Sequence, residues 1–277
     1  MFHVSFPGLG INDLPVNRVA FSIGSFNVYW YGILIATGLM LAVLYAYFNA
    51  HRYDVDRNKL IDCVIVGIIT AVIGARAYYV AFRWDYFSAH PAEIIDIRDG
   101  GIAIYGSIIG ALIGGLVVAK IRKMKFLPVL DITMTGFLIG QAIGRWGNFF
   151  NQEAYGTPTD SIFRMGLFNT RTGAWEFYHP TFLYESVWNA LGFVLLHFLS
   201  KHRKYDGQVA LGYAAWYGLG RAFIEGLRVD SLYWGSFRVS QLLAAASCVA
   251  AVAVLVYFHF HKRNGKTLFV NRSGADA

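Results

Sequence analysis

Charge is scarce in this chain. Asp, Glu, Lys and Arg make up 15% of its 277 residues while 56% are hydrophobic, a balance that excludes an ordinary soluble domain and fits a chain crossing a membrane several times. Cysteine is scarcer still. Cys63 and Cys248 both fall in apolar runs and share no redox or metal-ligand spacing, so they read as small packing residues. No basic start followed by an apolar run opens the chain, which argues against a cleaved signal peptide and makes the first apolar segment a retained anchor. Internal repeats and low-complexity linkers are absent too, so residues 1–277 read as a single integral membrane domain. No His-x-x-x-His, no carboxylates at metal-ligand spacing, no Gly-rich loop after a strand and no Gly-x-Ser-x-Gly elbow occur, which disfavours metal-assisted hydrolysis and serine chemistry.

What the chain does have is long apolar runs. Seven are long enough to cross a hydrocarbon core about 30 Å thick as helices: Asn27 to Phe48, Leu60 to Val80, Gly101 to Ala119, Phe126 to Ile143, Thr181 to Leu199, Gln208 to Ile224 and Phe237 to Phe260. The expected class is an all-α polytopic membrane protein of seven transmembrane helices. Basic residues cluster after the first span (Arg52, Arg57, Lys59), the third (Lys120, Arg122, Lys123, Lys125), the fifth (Lys201, Arg203, Lys204) and the last (Lys262, Arg263, Lys266, Arg272). These fourteen of the 24 Lys and Arg include every Lys. They fall on one side, which the positive-inside rule makes the cytoplasm, so the N-terminus lies outside and the C-terminus inside. The net charge of +7 is thus mostly a topology signal with some attraction to anionic lipid, and nucleic acid is not an expected partner. Residues 3–24 are expected to form an extracytoplasmic amphipathic arm. Residues 149–180, with their Gly, Pro, Thr and aromatic residues, should form a small irregular or β-containing extracytoplasmic head.

The remaining ten basic residues are all Arg, the side chain that anion-binding surfaces prefer. Gly144-Arg145-Trp146-Gly147-Asn148-Phe149-Phe150-Asn151-Gln152-Glu153-Ala154-Tyr155-Gly156 follows directly on an apolar span. Charges and amides there are costly near lipid unless they face a polar cavity, and the partner they fit is anionic. Arg76, Arg221 and Glu225 also lie near outer span ends. Arg221, Glu225 and Arg228 share one helical face, where an Arg–Glu pair can form and leave a second Arg free; a structural ion pair is the alternative for Glu225. Gly106, Gly110 and Gly114 form a small-residue stripe for close helix packing, which also brings Tyr105 toward the bundle core. Tyr29 and Trp30 suit an interfacial belt, whereas Tyr31 is divided between the belt and the cavity. Glu185, in His179-Pro180-Thr181-Phe182-Leu183-Tyr184-Glu185, falls in a first helical turn, where dipole compensation is an alternative to a site role.

Gly144-Arg145-x-Gly147-Asn148-Phe149-x-Asn151-x-Glu153-x-x-Gly156 closely resembles the signature of bacterial prolipoprotein diacylglyceryl transferases. Trp30-Tyr31-Gly32, Gly74-Ala75-Arg76, Gly100-Gly101, His179-Pro180-Thr181-x-Leu183-Tyr184-Glu185 and Gly220-Arg221-x-x-Ile224-Glu225-x-x-Arg228 match that family too, in order and over nearly the whole chain. One departure stands out. Many members carry His in Gly-Gly-x-x-x-His-Gly, where this chain has Tyr105, so a mechanism that needs an imidazole base there does not carry over.

The resemblance implies transfer of diacylglyceryl from phosphatidylglycerol to the lipobox cysteine of a prolipoprotein signal peptide, giving a thioether and glycerol phosphate. It implies a bacterial cytoplasmic (inner) membrane location with the active site toward the extracytoplasmic side. No cofactor or metal is implied, because the leaving group comes with the phospholipid. Arg145 and Arg221 are expected to grip the phosphate and stabilise its departing charge. Asn148 and Asn151 would bond the head-group glycerol or orient Arg145, Glu153 would hold an arginine or receive a proton, and Gly156 would permit a tight turn. Tyr31, Arg76, Glu185 and Arg228 complete the expected substrate-binding set. The incoming thiol, of reference pKa about 8.5, needs a base or a positive field; Glu153, Glu225 and Tyr105 all stand as that base. A transporter or channel for an anionic solute is the competing class, but it needs polar positions through the whole membrane depth, whereas here they gather toward one face.

Overall fold

The computed structural model describes residues 2–97, 100–235 and 237–260. Seven long helices follow the apolar runs: α1 (Trp30–Asn49), α2 (Arg57–Phe82), α4 (Ile104–Ile121), α5 (Phe126–Asn151), α6 (Thr181–Ser200), α7 (Gln208–Glu225) and α8 (Val239–Phe260), with a single short turn, α3 (Trp84–Phe87), after α2. Among the described residues six helical stretches are long and apolar enough to cross a membrane. The exception is α7, whose 18 residues include Arg221 and Glu225. Several boundaries moved, α4 starting at Ile104 rather than Gly101 and α8 at Val239 rather than Phe237. Asn27–Tyr29 belong to a strand rather than to the first span, and α5 continues eight residues past Ile143 to Asn151, because Arg145, Asn148 and Asn151 keep the helical spacing with polar partners on one face. The last basic cluster, Lys262 to Arg272, lies outside the described residues.

The chain is mostly helical, and between and before its long helices it also forms β-strands. Strands β1 (Phe2–Phe6), β2 (Ile11–Val16), β5 (Met165–Asn169) and β6 (Ala174–Tyr178) form one antiparallel sheet in the order β2-β1-β5-β6. Only the first part of residues 3–24 joins the strands of residues 149–180: Val4 pairs with Leu167 and Ser5 with Gly166. Burial explains it, since Val4 is fully buried and packs with Val16, Met165, Phe149 and Phe182, which fastens the sheet to the ends of α5 and α6. Strands β3 (Val19–Ile23) and β4 (Phe26–Tyr29) form a separate hairpin leading straight into α1, and β7 (Tyr233–Trp234) and β8 (Phe237–Arg238) form another leading into α8.

The chain packs as two compact units, residues 47–130 and the remainder of the described chain. Within 47–130, α2 and α4 lie backbone to backbone. A Cβ at Gly106 would strike the Gly74 carbonyl, and one at Gly110 or Gly114 would strike Thr70, so the glycine stripe is a close-packing surface. Asp56 caps α2 by accepting from Lys59 N at 2.9 Å.

In the other unit α6 and α7 are clasped by two tryptophans. The rings of Trp188 and Trp216 stack at 4.3 Å, and each indole N–H donates to the other's carbonyl, at 3.0 and 2.9 Å. Gly220 and Gly192 face these indoles so closely that a Cβ at either would collide with Nε1. The start of α7 is held from a distance: buried Asp131 on α5 accepts from Gly207 N and Ala210 N, both at 2.8 Å, a capping carboxylate at the positive end of the helix. These contacts fix the register that sets α5, α6 and α7 side by side at the polar cluster.

Candidate active site

The last two turns of α5, the first turns of α6 and the last turn of α7 bring their charged residues together. Glu185 on α6 is the centre. Its Oε2 lies 2.5 Å from Arg145 Nη2 and its Oε1 2.8 Å from Arg221 Nη1, while Arg228 Nη1 stands 3.6 Å from the same Oε1. Arg221 turns Nη2 to Glu225 Oε2 at 2.6 Å, the i,i+4 pair on one helix face. Arg228 leaves α7 behind and forks onto Asp230, Nε to Oδ1 at 2.8 Å and Nη2 to Oδ2 at 2.7 Å. Arg228 holds the Asp230 carboxyl below the ordinary carboxylate value by that hydrogen bond.

Burial decides what this cluster can do. The carboxylates of Glu185 and Glu225 are 4% and 2% exposed, whereas Arg145, Arg221 and Arg228 keep 22%, 17% and 11%. The carboxylates form the floor and the guanidinium groups reach the surface. Arg145, Arg221 and Arg228 are matched by Glu185, Glu225 and Asp230, and the two buried glutamates lie behind guanidinium groups that keep partial exposure and can offer donors to an anionic ligand.

A polar turn borders it. Arg145 Nη1 donates to Asn148 Oδ1 at 3.3 Å, and Asn148 Nδ2 and Asn151 Nδ2 both donate to Glu153 Oε1, at 3.0 and 3.2 Å. Glu153 thus gathers two amides in this structure. The turn is tight because Gln152 and Ala154 adopt left-handed backbone, φ 51° and 57°, at a cost of about 1 kcal/mol or more each. Two donors hold it there: Thr181 Oγ1 to the Ala154 carbonyl, and Arg18 Nη2 to Asn151 O at 2.8 Å.

Other expected site residues fall in different settings. Gly156 follows the Gln152–Ala154 turn without a positive φ of its own. Its smallness serves close approach, since a Cβ would sit 2.7 Å from that of His179 and 3.0 Å from Leu227 O, where Gly156 and Arg228 form a β-bridge. Tyr31 lays its ring on α5 at Gly147, next to Arg145: a Cβ at Gly147 would lie 2.6 Å from Tyr31 Cδ2. In residues 47–130, each of the three guanidinium nitrogens of Arg76 donates to backbone: Nε to Ile94 O at 2.7 Å, Nη2 to Glu93 O at 2.6 Å, and Nη1 to Gly101 O at 2.8 Å and Gly100 O at 3.2 Å. It organises the loop after α3. Tyr105 opens α4, 38% exposed, with its ring 6.5 Å from that of Tyr78. Among the described residues no set of three or more His, Cys, Asp or Glu is placed to hold a metal ion.

Sequence reading missed Asp230, Arg18 and Asp131. The Arg-x-Asp spacing at 228 and 230 was a local signal for the first. Arg18 meets Asn151, and Asp131 meets Gly207, across more than 70 residues, and nothing local announces either.

A model of the prolipoprotein diacylglyceryl transferase family matches residues 18–257, which include every arginine and carboxylate of the cluster. The chain belongs to this family. Curated relatives named phosphatidylglycerol–prolipoprotein diacylglyceryl transferase include one from Listeria monocytogenes serotype 4a (strain HCC23), 43% identical over 255 residues, 90% of this chain and 92% of that protein. Another, from Finegoldia magna (strain ATCC 29328 / DSM 20472 / WAL 2508), is 46% identical over 244 residues, 88% of this chain and 96% of its own. A third, from Bacillus cereus (strain G9842), is 42% identical over 247 residues, covering 87% and 92%. Family membership and six apolar helices make this a multi-pass membrane protein.

Proposed function

We propose that this chain is a phosphatidylglycerol–prolipoprotein diacylglyceryl transferase: the thiol sulfur of a lipobox cysteine attacks the glyceryl carbon that bears the phosphate, the carbon–oxygen bond breaks, and glycerol phosphate departs. The thiol proton is lost and the leaving oxygen takes the electron pair. Transition-state charge grows on the phosphate, so donors aimed at it lower the barrier. The observation that carries this reading is Glu185 drawing Arg145 and Arg221 from two helices into one largely buried cluster whose guanidinium groups stay partly exposed. A phosphodiester head group carries one negative charge, and paired guanidinium forks match its oxygens.

In this reading Arg145, Arg221 and Arg228 bind the phosphate, and Asn148 and Asn151 bond the head-group glycerol. Glu185 and Glu225 hold the arginines in place and give Glu225 a structural duty, which leaves exposed Glu153 the better placed of the two carboxylates to accept a proton. Tyr31, whose ring lies on α5 at Gly147, borders the arginine site, and Tyr105 is the candidate from residues 47–130. Both substrates are membrane-borne, so the head over α5 and α6 faces the extracytoplasmic side of the bacterial cytoplasmic membrane. α7 is the seventh span, with the N-terminus outside and the C-terminus in the cytoplasm; its two charges are tolerated because they sit at its outer end against Glu185 and Arg228.

The test is purified protein in liposomes with phosphatidylglycerol labelled in its acyl chains and a lipobox peptide, with and without EDTA. Label should appear on the peptide cysteine in step with released glycerol phosphate, at the same rate in both buffers. Folded protein that moves anions across the bilayer and transfers no label would replace this reading with the transporter.

A further inference from the structure

We infer that Arg238, at the entry to α8, is a positioning residue for the anion-binding arginine Arg228. This rests on the proposed function only for the assay that reads it. α7, like any helix, leaves its last carbonyls without partners inside the helix. Ala222 O accepts from Gln241 Nε2 at 2.8 Å, and Phe223 O, Ile224 O and Glu225 O accept from Gly226 N, Leu227 N and Arg228 N at 3.1, 3.0 and 3.2 Å. The next three carbonyls belong to no helix, and each takes a donor from elsewhere. Gly226 O accepts from Arg238 Nη1, Leu227 O from Thr157 N at 2.7 Å, and Arg228 O from Arg238 Nη2 at 3.2 Å.

Arg238 is itself fixed. Its Nε donates to Tyr233 Oη at 2.8 Å, its guanidinium stands 5.6 Å from the centre of the Tyr233 ring, and the two residues are register partners across β7 and β8. One guanidinium therefore brackets Gly226 and Arg228 from outside, while Thr157 of the head holds the carbonyl between them. That bracket sets where the Arg228 side chain leaves the backbone. From there it meets Glu185 and Asp230. Lysine has one ammonium centre, and cannot span two carbonyls and a phenol in a plane as the guanidinium fork does. A cation near a helix C-terminus also stabilises that helix generally, and the experiment must separate that effect from positioning.

The separation comes from a double-mutant cycle on kcat/KM for phosphatidylglycerol, with Arg238→Gln, Arg228→Gln and the pair. If Arg238 works through Arg228, Arg238→Gln should lower kcat/KM about tenfold or more in the wild type and less than twofold once Arg228→Gln is present. Arg238→Lys should recover thermal stability without recovering kcat/KM. Losses that multiply independently, or an Arg238→Gln enzyme with unchanged kcat/KM, would overturn the inference. Should Arg238→Gln not fold, Tyr233→Phe, which removes the acceptor of Nε alone, carries the same cycle, with a loss of severalfold expected only where Arg228 is intact. A wild type with no transfer at all would count against the proposed function, whereas an active wild type with independent losses counts against Arg238 alone.

Discussion

Glu185 holds two arginines with one carboxylate, and removing its charge leaves both guanidinium groups short of a partner in a largely dehydrated place. Glu185→Gln should therefore destabilise the protein by about 3–5 kcal/mol, read as a lower unfolding temperature in detergent, besides slowing transfer. The Arg228–Asp230 fork makes a different prediction, about pH. The Asp230 value in the folded chain lies below the ordinary 3.8, so the contribution of this pair is complete above about pH 4 and is lost as pH falls through the lower folded value. Wild type and Asp230→Asn should differ in stability at pH 7 and converge in strong acid; a difference that vanishes already between pH 7 and 5 would assign the titration to another group. At this scale the sequence made Arg145, Arg221 and Glu225 readable, because charge at the end of an apolar run has few structural uses. It left Glu185 divided between a dipole role and a site role. Only the positions of α5 and α7 beside α6 show its carboxylate between Arg145 and Arg221, and those are long-range facts.

Helices were the most legible elements, since an apolar run of about 20 residues bounded by charge has one low-energy form near lipid. The strands were less so. The pairing of Val4 with Leu167 depends on register across some 160 residues, and residues 3–24 carry only a short alternation that suits an arm as well as a strand. The clasp between α6 and α7 was invisible for the same reason, although its parts, Trp188, Gly192, Trp216 and Gly220, are plain in the sequence. Because a Cβ at Gly220 would collide with the Trp188 indole, Gly220→Ala should part the two tryptophans and cost about 1–3 kcal/mol. It lies next to Arg221, so transfer should fall with it. Gly24→Ala is a poorer control than it looks, as its φ of 61° adds strain of its own. Gly32, with nothing within 4 Å of an added Cβ, is the better comparison, and Gly32→Ala should leave the unfolding temperature nearly unchanged.

For the whole molecule, the distribution of basic residues gives an orientation that labelling can read. In a chain with Cys63 and Cys248 replaced by Ser, a cysteine placed by Thr172→Cys in the head hairpin should react with an impermeant maleimide in intact cells, and one placed by Lys123→Cys only after permeabilisation; the reverse pattern would invert the topology. Under the proposed orientation, the arginine cluster would lie where a lipoprotein signal peptide and an outer-leaflet phospholipid can both reach it. The central claim is narrower: that Arg145 acts as a two-pronged fork on the phosphate. The measurement that tests it most directly is the rate of diacylglyceryl transfer by Arg145→Lys in liposomes of phosphatidylglycerol, alongside its unfolding temperature. Lysine keeps the charge and loses the fork, so the account predicts a folded protein whose transfer falls by about a hundredfold or more. A folded Arg145→Lys protein within about threefold of wild type would contradict it, and would reduce Arg145 to one charge among several.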